Sequence, residues 1–282
     1  PSRKIMAIKD LINGNHTSEI ALNDRAVHYG DGLFETIAIQ NKQILCFDEH
    51  LSRLEKGCKR LKIPIPDKDI IRDEVTSLID TTGQGVIKII ISRGQGGRGY
   101  KIPDDTAPTR IITLFPWPDY HKKFPTTGIK TKVCDFRYAR NPALAGIKHL
   151  NRLEQILARS EWTDDAISEG IVMDTDGFVI EGTMSNIFCI KNTTLYTPDL
   201  SLCGIEGIIR EKIIDMADKM KFSVEVKNMT LEFLLSTDEV FLCNSLIGVC
   251  PVNSIGEKLF SNHEKTIKIA NELMKYNFIP NL

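Results

Sequence analysis

Along residues 48–63, DEHLSRLEKGCKRLKI, the apolar positions Leu51, Leu54, Cys58 and Leu61 recur three or four apart among charged neighbours. That spacing predicts an amphipathic helix with Asp48 near its N-cap, stopped by Pro64 and Pro66. Upstream, KDLINGNH carries an Asn-Gly turn signal, and LFETIAIQNKQILCF alternates and then turns at Asn41-Lys42, so strands open the chain. A second helix is expected from Asp67 to Ile79, followed by two β-branched runs, VIKIIIS and RIITLF, which read as buried strands on either side of a Gly-rich loop. PWPDYHKKFPTTG then packs three prolines and a glycine between strand-like stretches, the makeup of a linker. The division expected is residues 1–117, a linker at 118–125, and a second domain at 126–282. Beyond the linker the pattern gives a strand at KTKVCDF, a helix over HLNRLEQILARSEW and short strands through TLYTP. It continues with a helix from about Glu206 to Met220, strands through VCPV, and a last helix from Glu264 to Tyr276. The fold class is therefore mixed α and β.

Composition narrows the function. Hydrophobic residues at 42% and charged residues at 26% are those of a globular protein. The formal charge of -1, from 36 basic and 37 acidic residues mixed along the chain, offers no electrostatic footprint for nucleic acid or an acidic membrane, which leaves a small-molecule partner. Seven cysteines form no C-x-x-C pair and no metal-ligand spacing. Cys46, Cys189, Cys243 and Cys250 lie in apolar runs, where a reduced thiol behaves as a small hydrophobe. With no apolar stretch suited to a signal sequence or a membrane span, a cytoplasmic location is expected.

Three segments could carry chemistry. In RGQGGRGY, residues 93–100, glycines would let the backbone approach a ligand closely while arginines offer planar donors to a carboxylate, although a plain surface loop uses the same residues. In GIEGIIREK, residues 204–212, glycines precede a helix whose first N–H groups would face an anion, and a simple turn into the helix accounts for them equally. In GIKHLNRLEQ, Lys148 stands at the mouth of a helix, where taken alone it is a solvated surface charge.

The strings NDRAVHYGDGLFETI, HLSRLEKGCKRL, ISRGQGGRGY, NPALAGIKHLNRLEQ, EGTMSNIFCI, GIEGIIR and CNSLIGVCPV together change that weighing. In order along essentially the whole chain, they resemble the fold type IV pyridoxal phosphate enzymes, the two-domain, D-amino acid aminotransferase-like family. It contains branched-chain aminotransferases, D-amino acid aminotransferases and 4-amino-4-deoxychorismate lyases. Within it, RGQGGRGY followed by NPALAGIKHLNRLEQ is most similar to the lyase branch, whose members make p-aminobenzoate for folate synthesis.

The resemblance implies pyridoxal 5'-phosphate as cofactor and Lys148 as the Schiff-base lysine, an amine that can hold the aldehyde and then act as base. By the same resemblance Glu181 lies beside the pyridine nitrogen, Arg53 binds the phosphate, and the backbone of Ile205 and Glu206 with the hydroxyl of Ser245 completes the phosphate contacts. Arg98 falls at a substrate-carboxylate position, Tyr29 and Tyr100 line the same pocket, and Arg140 is a further candidate for substrate charge. Thr36, in FET, stands where branched-chain aminotransferases carry glycine, and its hydroxyl could relay a proton; a strand hydroxyl satisfied by backbone is the alternative. No role is assigned to His28 or His149. The family also implies a homodimer with its active site between the domains. The rivals to an aminodeoxychorismate substrate are a D- or branched-chain aminotransferase, and a non-catalytic relative that keeps the fold for binding.

Overall fold

The computed structural model describes residues 9–79, 83–119 and 124–281. The N-terminal PSRKIMAI and residues 120–123 of the expected linker lie outside the described residues. The chain forms two compact units, Pro1–Pro118 with Ile147–Asn151, and Asp119–Gly146 with Arg152–Leu282. Lys148 thus belongs to the first unit, a correction to the expected second domain at 126–282.

The first unit is built on an antiparallel sheet of β1 (Lys9–Ile12), β2 (Gly32–Gln40), β3 (Gln43–Ile44), β4 (Gln84–Ser92) and β5 (Thr109–Pro116), in the order β1-β5-β4-β2-β3. Period-2 alternation divides β2 and β4 between two faces. Leu33, Glu35 and Ile37 pair with Ile91, Ile89 and Ile87, and all six are buried. Phe34, Thr36 and Ala38 pair with Ile90, Lys88 and Val86 on the opposite face. The turn at Asn41-Lys42 is as expected, with φ of 51° and 62° at the two residues, the left-handed pair that a two-residue hairpin requires.

Helix α1 (Arg25–Tyr29) precedes β2, and α2 (Phe47–Leu61) and α3 (Lys68–Ile79) cover the sheet face that carries Leu33 and Glu35. Helix α2 begins one residue before Asp48, with Cys46 as N-cap at φ 51°; Asp48 sits inside the first turn, where its charge complements the helix dipole. The helix ends before Pro64, and the Arg93 guanidinium donates to the carbonyls of Leu61 and Lys62 at 2.8 and 2.7 Å. Gly57 lets α2 close on β2, since a Cβ there would come within 2.7 Å of the Leu33 side chain.

The second unit holds a ten-stranded mixed sheet. It comprises β6 (Ile129–Tyr138), β7 (Ile167–Asp174), β8 (Phe178–Gly182), β9 (Asn186–Lys191), β10 (Thr194–Pro198), β11 (Ser223–Lys227), β12 (Met229–Thr230), β13 (Glu239–Asn244), β14 (Gly248–Ile255) and β15 (Lys258–Leu259). Its core gathers Phe124, Ile171, Ile187, Leu242 and Val252. Helix α4 (Leu153–Arg159) is shorter than HLNRLEQILARSEW predicts, because His149 to Asn151 are extended along the first unit's sheet. Helix α5 (Ile208–Met216) starts two residues after the expected Glu206 and gives way to turns before Met220. Helices α6 (Leu231–Leu235) and α7 (Glu264–Lys275) complete the unit. Burial pushes the thiols of Cys58, Cys134, Cys189, Cys203, Cys243 and Cys250 up to about 12, so they pack as inert apolar groups.

Helix α7 lacks a capping side chain at His263, and Glu239 of β13 supplies the cap from a distance. Its buried carboxylate accepts from Lys265 N at 3.1 Å, Thr266 N at 2.9 Å and Thr266 Oγ1 at 2.8 Å. Glu239→Ala would strand three donors, one of them a buried hydroxyl, and is expected to lower stability by about 2–4 kcal/mol. Urea denaturation measures this, and an unchanged midpoint would remove the capping role.

Candidate active site

Because β3 has only two residues, the N-terminal half of β2 presents an unoccupied edge, and Ile147–Asn151 fills it. Phe34 N donates to Lys148 O and Leu150 N donates to Gly32 O, both at 2.9 Å, with Leu33 and His149 bridged antiparallel. Gly32 is required here: a Cβ would come 2.5 Å from Ile91 O. Asn151 Nδ2 closes the segment on Gly30 O at 3.0 Å, and Gly30 turns with φ 60°. This pairing carries the Lys148 ammonium to 4.3 Å from the Phe34 ring centroid, on the sheet face shared by Thr36. Lys148 is half-buried, and the aromatic face attracts its charge.

Arg53, on α2, faces Glu35 of β2, donating Nε to Oε1 at 2.8 Å and Nη2 to Oε2 at 2.6 Å. His50 Nδ1 lies 2.7 Å from the same Oε2, and His50 and Glu35 are fully buried. Burial pushes the Glu35 carboxyl up, but the Arg53 charge and the hydrogen bonds from Arg53 and His50 outweigh it and hold the group at about 2. Burial lowers His50 more than Glu35 raises it, so the imidazole is neutral and donates through Nδ1. The arginine is thus a pre-oriented cation at the first unit's sheet.

The loop RGQGGRGY is held from beneath by Arg25, a buried guanidinium that donates to Asp31 Oδ2 at 2.8 Å and to Gly99 O at 3.1 Å. Its carbon lies 4.7 Å from the Tyr29 ring centroid. Tyr29 accepts from Gly99 N at 3.0 Å and meets the Tyr100 ring edge-on at 5.6 Å. Asp31 also receives Arg93 at 2.7 Å; burial raises its carboxyl, and the two arginines hold it below its ordinary value. Arg98 and Tyr100 therefore stand exposed on one anchored loop, which Tyr29 at the end of α1 holds through Gly99. His28 packs tilted beside Tyr29.

In the second unit Glu181 is buried on β8 and accepts from Ile205 N at 2.9 Å and from Asn186 Nδ2 at 3.3 Å. Asn186 Nδ2 also donates to Ile205 O at 2.9 Å, which ties the 204–206 turn to the carboxylate. The two N–H groups expected to meet the phosphate have acceptors within the unit. Ile205 N–H is spent on Glu181 and Glu206 N–H on Gly146 O at 3.1 Å, so neither donor is available to an anion. The N–H groups without intrahelical acceptors are those at the start of α5, Ile208, Ile209 and Arg210, behind the N-cap Gly207, whose carbonyl accepts from Glu211 N. Gly207 cannot carry a side chain, since a Cβ would lie 1.9 Å from Asn186 Oδ1. Ser245 sits at the β13–β14 turn, which Asn244 Oδ1 stiffens by accepting from Leu246 and Ile247 N–H. Arg140 forms ion pairs with Asp174 and Asp176, which tie its guanidinium to the β7–β8 turn.

The pattern of the chain carried signals for residues that the motif reading passed over. Glu35 and Lys88 are charged residues inside otherwise apolar runs, LFETIAI and VIKIIIS, midway along adjacent strands and on opposite faces of the sheet. Arg25 and Asn186 lie inside quoted strings and act through contacts that only the folded chain brings together.

The fold is that of the fold type IV aminotransferases, and the chain belongs to the class IV aminotransferase family, whose model, Amino-transferase class IV, matches residues 32–255. It is 37% identical over 244 residues to an aminodeoxychorismate lyase of Vibrio harveyi, covering 86% of this chain and 90% of that protein. It superposes with a TM-score of 0.90 and 39% identity on the crystal structure of 4-amino-4-deoxychorismate lyase from Pseudomonas aeruginosa, covering 94% of this chain and 98% of that one. A putative branched-chain-amino-acid aminotransferase of Methanocaldococcus jannaschii is 29% identical over 268 residues, 91% of each chain.

Because Glu35 stays ionised when folded, its stabilisation is whole above its ordinary value of 4.5 and is lost as pH falls toward about 2. Glu35→Gln should therefore be less stable than the parent at neutral pH. The gap between the two should narrow as pH drops through that window in urea titrations at stepped pH. A gap independent of pH would assign the stabilisation to another group.

Proposed function

We propose that this chain is an aminodeoxychorismate lyase, converting 4-amino-4-deoxychorismate to p-aminobenzoate and pyruvate with pyridoxal phosphate as cofactor. The observation that carries the reading is the gradient of likeness: 37% and 39% identity to two such lyases along nearly their whole length, against 29% to an aminotransferase of the family. Thr36 supports it, since its hydroxyl shares with the Lys148 ammonium the sheet face around Phe34.

The donors present suit the cofactor. Arg53, the first N–H groups of α5 and the Ser245 hydroxyl match a phosphate, and Glu181, fixed by Ile205 and Asn186, matches a protonated pyridine nitrogen. When bound, pyridoxal phosphate supplies an electron sink for the charge left at the substrate carbon that loses its proton. Lys148, in its neutral form, takes that proton from the carbon bearing the amine. Thr36 delivers a proton to the departing oxygen as the carbon–oxygen bond breaks, the ring becomes aromatic, and the released enol becomes pyruvate. Arg98, with Tyr29 and Tyr100 beside it, receives a substrate carboxylate on the loop that Arg25 holds.

We also propose a homodimer in the cytoplasm. Leu153, Ile156 and Leu157 lie on one face of α4 at 72%, 61% and 52% exposure, an apolar patch suited to a second copy of the chain. Seven cysteines, none in a disulfide, suit a reducing compartment.

Supplied with aminodeoxychorismate, the purified protein should release p-aminobenzoate and pyruvate in equal amounts; amination of 2-oxoglutarate with no p-aminobenzoate would overturn the lyase reading. Borohydride should fix the cofactor to the parent and not to Lys148→Ala, and a normal adduct in the variant would move the bond to another lysine. Ile156→Glu should shift the species measured by light scattering from dimer to monomer, and a retained dimer would place the interface elsewhere.

A further inference from the structure

Lys88 is a lone charged residue in the apolar run VIKIIIS of β4, half-buried at the middle of the first unit's sheet. Register fixes where it lies. It is the cross-strand partner of Thr36 on one side and of Thr113 on the other, and Thr113 is in turn paired with Asp10. The row across this face therefore reads Thr36, Lys88, Thr113, Asp10, with the acid two strands away, roughly 10 Å at ordinary strand spacing. Among the described residues no carboxylate forms an ion pair with Lys88; its contact is the Phe34 ring, 5.4 Å from the ammonium to the centroid. The Lys148 ammonium lies over the same ring at 4.3 Å.

A cation withdrawn from bulk water with no counter-charge beside it is costly unless an anion arrives. The Lys88 ammonium beside this ring makes the patch attractive to a substrate that brings negative charge. Cross-strand neighbours have Cβ atoms about 5 Å apart, so an anion held by Lys88 sits next to the Thr36 hydroxyl.

We infer that Lys88 is a substrate-binding residue that receives the second carboxylate of a dicarboxylate substrate. The assignment rests on the lyase reading for which carboxylate that is: the one on the departing three-carbon group, beside the hydroxyl that protonates it. Arg98 keeps the carboxylate on the ring. An apolar side chain at 88 would leave the dicarboxylate without this charge, while a monocarboxylate would lose nothing.

The test uses the cofactor-loaded enzyme as Lys88→Met, which keeps the shaft over Phe34, and Lys88→Arg, which keeps the charge. In Lys88→Met the KM for p-aminobenzoate formation should rise about tenfold or more with a smaller change in kcat, and Lys88→Arg should recover most of the loss. By calorimetry, the dissociation constant for 2-oxoglutarate should rise about tenfold in Lys88→Met, and that for 2-oxobutyrate, which lacks the second carboxylate, should stay within about twofold. Equal weakening of both ligands, or of neither, overturns the inference, because a lysine that only shields Phe34 would not distinguish them. The two readings fail separately. If the parent makes p-aminobenzoate and Lys88→Met binds 2-oxoglutarate as the parent does, this inference is wrong and the lyase stands. If no p-aminobenzoate forms yet 2-oxoglutarate alone is weakened, the lyase reading falls and the carboxylate role of Lys88 stands.

Discussion

The backbone pairing of Ile147–Asn151 with the N-terminal half of β2 is the constraint on which the first unit's chemistry depends. A sheet edge presents donors and acceptors that must be paired or solvated. Here a segment distant in sequence pairs them, through Phe34 N to Lys148 O and Leu150 N to Gly32 O. The two hydrogen bonds set the register of Lys148 against Phe34 and Thr36, and a slip of one residue would turn its side chain to the face covered by α2. Gly32, where a side chain would strike Ile91 O, and Gly30, with its left-handed turn sealed by Asn151, allow the approach.

Around that pairing, buried charges are arranged in compensated groups. Arg53 and His50 meet Glu35 on the helix-covered face, and Arg25 and Arg93 meet Asp31 at the root of the Gly-rich loop. Each group costs desolvation that good geometry must offset, and in return each fixes a donor in one orientation. Asp31 joins two elements in this way, since Arg93 also caps the carbonyls at the end of α2 while Arg25 reaches Gly99. The donors proposed for cofactor and substrate thus stand on one rigid sheet, which suits chemistry that tolerates little positional error.

The second unit uses neutral donors to similar effect. Glu181 is held by one backbone N–H and one amide, and the same amide, Asn186, occupies the space that a side chain on Gly207 would need. The turn 204–206 is consequently tied to the carboxylate, while the first N–H groups of α5 have no intrahelical acceptor. Glycines before a helix mark a close approach without saying which N–H groups are already taken.

Periodicity alone determined most of the elements. The three-and-four spacing of Leu51, Leu54 and Cys58 marks α2, and alternation through LFETIAIQ with the Asn41-Lys42 turn marks the β2–β3 hairpin. Family membership was equally legible, because it resides in strings that do not depend on contacts. Tertiary structure decided the rest. HLN carries a helical pattern, yet it lies extended because β2 offers an edge whose hydrogen bonds outweigh a local turn of helix. Arg140 and Lys88 look alike in sequence as single cations near strands. Asp174 and Asp176 pair with the first, while register places the second beside Thr36 with no ion-pairing acid among the described residues, since a charge's neighbours are brought together only by folding.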